Sequence, residues 1–167
     1  MLTLFAATAL SAFVVDGDLG GIMDVYHQQA VYMHGEKVII DGACFSACTL
    51  FLRTDYDLDV CVTDAALLGF HKPYRVLIGT GIPVVTPEAR VRADDKWYDE
   101  FYSKMPEGIQ MLLYNQHIPS VSDGAEPSEF YYIKARDLHG AIPSCDPDWQ
   151  LKYTPLAIPE PTTLGPQ

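Results

Sequence analysis

One hydroxyl stands where nucleophilic chemistry is possible. Gly42-Ala43-Cys44-Phe45-Ser46-Ala47-Cys48-Thr49-Leu50-Phe51-Leu52 follows the apolar run Val38-Ile39-Ile40. The pattern reads as strand, sharp turn and helix, with Ser46 at the turn among small residues. A serine so placed has an exposed Oγ near the positive end of a helix. Taken alone, Ser46 would serve as well as an N-cap, so its partners decide. His71 ends the apolar stretch Ala66-Leu67-Leu68-Gly69-Phe70, twenty-five residues on. In a parallel α/β sheet the strand ends that feed helices converge on one edge. His71 can therefore meet Ser46 as a general base. Gly20-Gly21 follows another strand at that edge, and its N–H groups can hold an oxyanion. Nucleophile, base and oxyanion donors are the parts of acyl transfer.

The elements that must position them are legible from periodicity. Phe13-Val14-Val15-Asp16 reads as a short buried strand and Gly17 to Gly21 as a loop. Ile22, Val25, Tyr26, Gln29, Ala30 and Met33 recur at helical spacing, with Gly35 as the C-terminal stop. Val38-Ile39-Ile40, Val60-Cys61-Val62 and Ala66 to Phe70 read as strands, and Ser46 to Arg53 as a helix. Alternation of strands and helices predicts crossovers and a mostly parallel sheet. Lys72 to Pro87, with its prolines and glycines, reads as a long loop or hairpin flap over the site. Helices are expected from Pro87, across Asp94 to Lys104, and from Met105 to His117. A strand follows at Phe130 to Ile133, then a single helical turn from Ala135 to Gly140. Residues 13–145 form the expected domain, and the proline-rich stretch 146–167 an extended tail that is ordered only if it docks.

The chain has 167 residues, enough for one domain with a real core. A formal net charge of -11 argues against nucleic acid and against anionic membrane surfaces. No apolar run reaches membrane-span length. Residues 1–12 are almost wholly apolar or small and read as a secretory signal, although no Lys or Arg precedes the apolar run. That reading places the protein in the periplasm or outside the cell. Four cysteines, Cys44, Cys48, Cys61 and Cys145, agree with an oxidising compartment. Two disulfides are possible in three connectivities. Cys48–Cys61 with Cys44–Cys145 is one expectation, and Cys44–Cys61 with Cys48–Cys145 the other. The spacings are not those of a zinc site, and no metal or cofactor is expected. The apolar neighbours of the cysteines also weigh against a catalytic thiol.

The order of strand, Gly-Gly, helix, strand, Gly-x-x-x-Ser-Ala helix, strand and strand-His resembles the ClpP/crotonase superfamily, in its serine peptidase branch. It is also similar to small secreted bacterial proteins of that superfamily. Their motifs correspond to Asp18-Leu19-Gly20-Gly21, Gly42 to Thr49, Cys61-Val62, Gly69-Phe70-His71 and Tyr132 to Cys145. The resemblance spans residues 13 to 145. It implies an α/β fold of the ββα spiral type, mostly parallel, with a short C-terminal extension. It implies Ser46 as nucleophile, His71 as base and Gly20-Gly21 as oxyanion hole. Trimers or rings are common in the superfamily, so homo-oligomerisation is implied by analogy alone.

Two positions depart from that pattern. Leu19 stands where the family has Pro before Gly-Gly. The third triad acid has only Asp123 near its expected place, with Glu126 and Glu129 as neighbours. In an Asp-Gly step, Asp123 is equally a turn residue, so a Ser-His dyad competes with a triad. Lys72 is a weaker alternative base, because consecutive strand residues point to opposite faces. His27 and His34 share a helix face as surface residues or a weak metal pair, while His117 and His139 sit at helix ends. The tyrosines and Trp97 read as packing residues. The expectation is a serine hydrolase of peptidase type acting on peptide or acyl substrates. The alternative is an inactive relative serving as an interaction or assembly module. Acyl-CoA chemistry would require a basic site that this acidic chain offers little of.

Overall fold

The computed structural model describes residues 10–138 and 140–157. The fold is α/β with two sheets. The first contains β1 (Leu10–Val15), β2 (Lys37–Ile40), β4 (Asp59–Val62) and β7 (Tyr153–Pro155), in the order β4-β2-β1-β7. Every pairing in it is parallel. The second contains β3 (Ala43–Phe45), β5 (Leu67–Phe70) and β6 (Tyr131–Lys134), in the order β3-β5-β6. β3 and β5 are parallel, and β6 runs antiparallel to β5. The expectation of a mostly parallel sheet with crossovers therefore holds, with β6 as its antiparallel edge.

β2 is buried along nearly its whole length because both of its faces are covered. Val38 and Ile40 face the main core with Leu50, Phe51, Leu68 and Phe70. Ile39 faces the other side, against Ala12 and Cys61. Helix α1 (Met23–Tyr32) lays Tyr26 and Ala30 on the core while Val31 and Tyr32 face solvent. It ends earlier than its apolar period suggested. Met33 caps it, and Gly35 turns the chain at φ +79. Helix α2 (Pro87–Lys96) starts at the expected proline, its Thr86 hydroxyl accepting the Ala89 N–H at 3.1 Å. It runs on into a π-helical turn, Trp97–Phe101, whose Trp97 packs edge-on against Phe70. Helix α3 (Glu107–Leu113) is shorter than predicted and is followed by Asn115 in the left-handed region at φ 60.

Both chain ends enter the fold within the described residues. Residues 1–9 lie outside the described residues, but Leu10–Ala12, assigned to the leader, form the start of β1 and pair with Tyr153–Pro155. The segment from Asp146 is not an extended tail throughout. A helical turn, α4 (Trp149–Lys152), precedes β7, and both dock on the outer face and edge of the first sheet. Residues 158–167 and His139 lie outside the described residues. No helix among those described is long and apolar enough to cross a membrane.

Neither expected disulfide pairing forms. The bridges are Cys44–Cys48 and Cys61–Cys145. Sheet geometry explains why. Side chains alternate along β4, so Val62 joins the main core while Cys61 points to the opposite face. Cys48 lies in the main core and cannot reach it. Cys145 arrives on the Cys61 side because its N–H donates to the Val62 carbonyl at 2.8 Å.

Candidate functional site

Ser46 sits where β3 turns into a 3-10 helix, Ser46–Leu52. Its backbone is left-handed, φ 52, which only three non-glycine residues adopt among those described. That conformation costs about 1–2 kcal/mol for a residue with a Cβ. The turn reverses the chain so abruptly that the Cα atoms of Cys44 and Cys48 come within 5.3 Å, and the first bridge closes across it. The result is a hydroxyl held at the head of a buried helix. The helix expected here forms as 3-10, the tighter form used for short pieces.

His71 follows β5, and its Nε2 lies within hydrogen-bond distance of Ser46 Oγ, at 2.5 Å. The ring is 6 % exposed. Phe130 packs against one side at a centroid distance of 4.7 Å, and Tyr74 meets it edge-on at 5.6 Å. Burial pushes the pKa down from 6.5 to about 4. The imidazole is therefore neutral at ordinary pH. A proton on Nδ1 leaves Nε2 to accept from Ser46 Oγ. That is the tautomer a general base needs. The Nδ1 atom is buried and has no hydrogen-bond partner among the described residues.

That orphan nitrogen bears on Asp123. Its carboxylate pairs with Arg90 Nε of α2 at 2.5 Å, in the turn closed by Gly124 at φ 94. Asp123 is a turn residue and an ion-pair partner, and the structure does not bring it to His71. Glu126 and Glu129 are exposed and do not reach it either. Replacing Asp123 with Asn is expected to change activity by less than about 2-fold, since a surface pair contributes about 1 kcal/mol or less. A fall of 100-fold in kcat would show that Asp123 swings to His71 during turnover. Lys72 also points elsewhere, its ammonium lying 2.6 Å from Asp94 of α2.

The Gly20-Gly21 loop lies directly over the nucleophile. Asp18 fixes it by zipping to β3: its N–H donates to Ala43 and its carbonyl accepts from Phe45, at 2.7 and 2.9 Å. The Asp18 carboxylate then accepts the Tyr26 hydroxyl at 2.6 Å and the Gly20 N–H at 2.8 Å. Burial and this carboxylate push the Tyr26 pKa upward. The Gly20 amide is thus already engaged and is not a free oxyanion donor. Gly20 is required for a different reason. It has φ +83, and a Cβ there would fall 2.5 Å from the Phe45 carbonyl oxygen and 2.6 Å from the Ser46 Cβ. Gly20→Ala is expected to displace the nucleophile turn and lower activity by about 100-fold or more, read as kcat against an activated ester. Wild-type activity would show that the loop retreats freely.

Two donors remain beside Ser46. The Gly21 N–H takes no part in the bonds that fix the loop. The Ala47 N–H is in the first turn of its helix, where amides have no intrahelical partner. Ala47 N lies 3.0 Å from the position of a Gly20 Cβ, so it faces the loop. Sequence reasoning missed Ala47, Asp18 and Phe130. The residue after a turn nucleophile is the only one of these with a local signal, because its N–H always points to the same side as the hydroxyl.

Gly20, Gly21, Ile22, Tyr74, Val76 and Phe130 line a cleft of ≈ 590 Å³ that contains Ser46 and His71. The expected flap is a hairpin, with Val76 bridging Pro83 and Leu77 N–H donating to Ile82 at 2.8 Å. Its base forms one wall of the cleft, and its tip residue Ile78 is 98 % exposed. His27 does not form a metal pair with His34. It bonds the Tyr56 hydroxyl and Glu100, whereas His34 faces Asp57. No cluster of three metal-ligating side chains occurs among the described residues.

Compared with known proteins, the chain matches no family model and no curated sequence.

Proposed function

We propose that this protein is a serine hydrolase of peptidase type, with a ClpP/crotonase-like fold, working in the periplasm or outside the cell. The observation that carries the reading is the hydrogen-bond contact of Ser46 Oγ with a neutral, buried His71 Nε2 at 2.5 Å. The two disulfides support the compartment.

In the reaction, Ser46 Oγ attacks the carbonyl carbon of an ester or amide while His71 Nε2 takes its proton. The oxyanion meets the Gly21 and Ala47 amides. The tetrahedral intermediate collapses as His71 returns the proton to the leaving amine or alkoxide, leaving an acyl group on Ser46. Water, deprotonated by His71, releases it. Each cycle passes through an imidazolium whose Nδ1–H has no acceptor. Turnover is therefore expected to be slow compared with enzymes that place a carboxylate there.

The same orphan nitrogen favours a second reading, in which the fold has lost catalysis and serves as an interaction module. A fluorophosphonate probe separates the two. The oxidised protein should gain one adduct, mapped to the peptide holding Ser46. Absence of labelling over hours at neutral pH would sink the hydrolase and leave the module.

A further inference from the structure

The Cys44–Cys48 bridge spans the nucleophile symmetrically, and its position ties together the parts that a triad acid would otherwise help to order. Cys44 belongs to β3, which is bridged to Asp18 and so to the Gly20-Gly21 loop. Cys48 belongs to the 3-10 helix whose first N–H groups face that loop. Between them stands Ser46 in its left-handed conformation. One covalent link therefore fixes loop, nucleophile and helix amides relative to one another. The two bridges also differ in access. Cys44 and Cys48 are both 0 % exposed, whereas Cys145 is partly exposed.

We propose that the Cys44–Cys48 bridge is the positioning device of Ser46, and that its formation during folding in an oxidising compartment switches the hydrolase on once. The proposal rests on the reading of Ser46 as nucleophile. In the activating step, one cysteine thiolate attacks a small-molecule disulfide and expels a thiolate, giving a mixed disulfide. The second cysteine thiolate attacks the protein sulfur of that mixed disulfide and expels the other thiolate. Two electrons pass to the oxidant, and the two cysteine protons leave to solvent. A chain folded in a reducing compartment lacks the link and keeps a mis-set nucleophile. After closure, burial of both sulfurs slows exchange, so the bridge reopens only under stronger reduction than opens Cys61–Cys145.

The test follows fluorophosphonate labelling of Ser46 together with differential alkylation of each cysteine pair. Denatured, reduced protein is refolded with oxidised glutathione or with excess dithiothreitol, and native oxidised protein is separately titrated with dithiothreitol. The glutathione-refolded chain should label, and the reduced chain should label about 100-fold more slowly. In the native titration, Cys61–Cys145 should open first with labelling retained. Labelling should then fall in step with opening of Cys44–Cys48, while far-ultraviolet circular dichroism of the same samples is unchanged. Cys44→Ala/Cys48→Ala should behave as the reduced chain, and Cys61→Ser/Cys145→Ser as the oxidised one. Equal labelling of oxidised and reduced chains would overturn this inference and leave the hydrolase standing. Loss of labelling with Cys61–Cys145 alone open would also overturn it. No labelling of the oxidised chain would sink the hydrolase and this inference with it.

Discussion

Under the proposed hydrolase reading, replacing Ser46 with glycine should abolish hydrolysis and at the same time raise thermal stability. Loss of the Oγ removes the hydroxyl that meets His71 Nε2, and removal of an activated nucleophile costs about 10³-fold or more in kcat. Stability moves the other way because Ser46 sits at φ 52. Glycine enters the left-handed region without the Cβ penalty, which is about 1–2 kcal/mol. Part of that gain is offset by the greater freedom of glycine in the unfolded chain, about 0.5–1 kcal/mol. A net gain of about 1 kcal/mol corresponds to about 2–4 °C in Tm for a chain of this size. Ser46→Ala should be equally inactive but gain nothing, since alanine keeps the Cβ. Retained activity in either variant, measured with an activated ester, would remove Ser46 from the mechanism. A Tm for Ser46→Gly below that of Ser46→Ala would mean that the left-handed turn is not strained.

The second large effect is on pH dependence, and it originates in His71. Burial lowers its pKa from 6.5 to about 4. The base therefore stays unprotonated through mildly acidic solution, and the acid limb of kcat/KM should fall near pH 4 instead of near 6.5. Stability carries the same signature. Above pH 6.5 the imidazole is neutral in both folded and unfolded chains and contributes no pH dependence. Between pH 6.5 and about 4 the unfolded chain binds a proton that the folded chain does not, so stability falls as pH falls. The full loss across that window is about 3 kcal/mol. His71→Gln should flatten the stability slope across this range while lowering kcat about 10³-fold. An acid limb near pH 6.5 in wild type, or an unchanged slope in the variant, would show that His71 is neither the base nor the buried titrating group. A shift of the limb to higher pH on adding substrate would point to a carboxylate supplied by the substrate at Nδ1.

The two effects share one cause. The His71 ring is buried against aromatic groups with no carboxylate at Nδ1 among the described residues, so its placement must come from the backbone and packing. Asp18 clamps the glycine loop, β3 pairs with β5 through Phe45 and Gly69, and a Cβ on Gly69 would fall 2.6 Å from the Phe45 ring. These restraints converge on Ser46 from three sides. They set the distance to His71 without help from an acid.

Much of this was determined by the sequence alone. The alternation of apolar runs and helical periods is a local property, and it specified the α/β class and strands at 38–40 and 60–62, which the structure extends to 37–40 and 59–62. The spacing of Ser46 and His71 was informative because both fall at strand ends, and a parallel sheet brings such ends to one edge. The contact at 2.5 Å bears that out. What the tertiary structure alone decided were the facts that depend on facing. Whether Cys61 points toward Cys48 or away from it turns on strand phase and sheet position, so the observed pairing could not be read from spacing. Which Gly-Gly amide is free depended on the reach of the Asp18 carboxylate, and the fate of Asp123 depended on Arg90 arriving from a distant helix. Local pattern fixes what each segment is. Only packing fixes which side chain finds which partner, because many partners compete and burial selects among them.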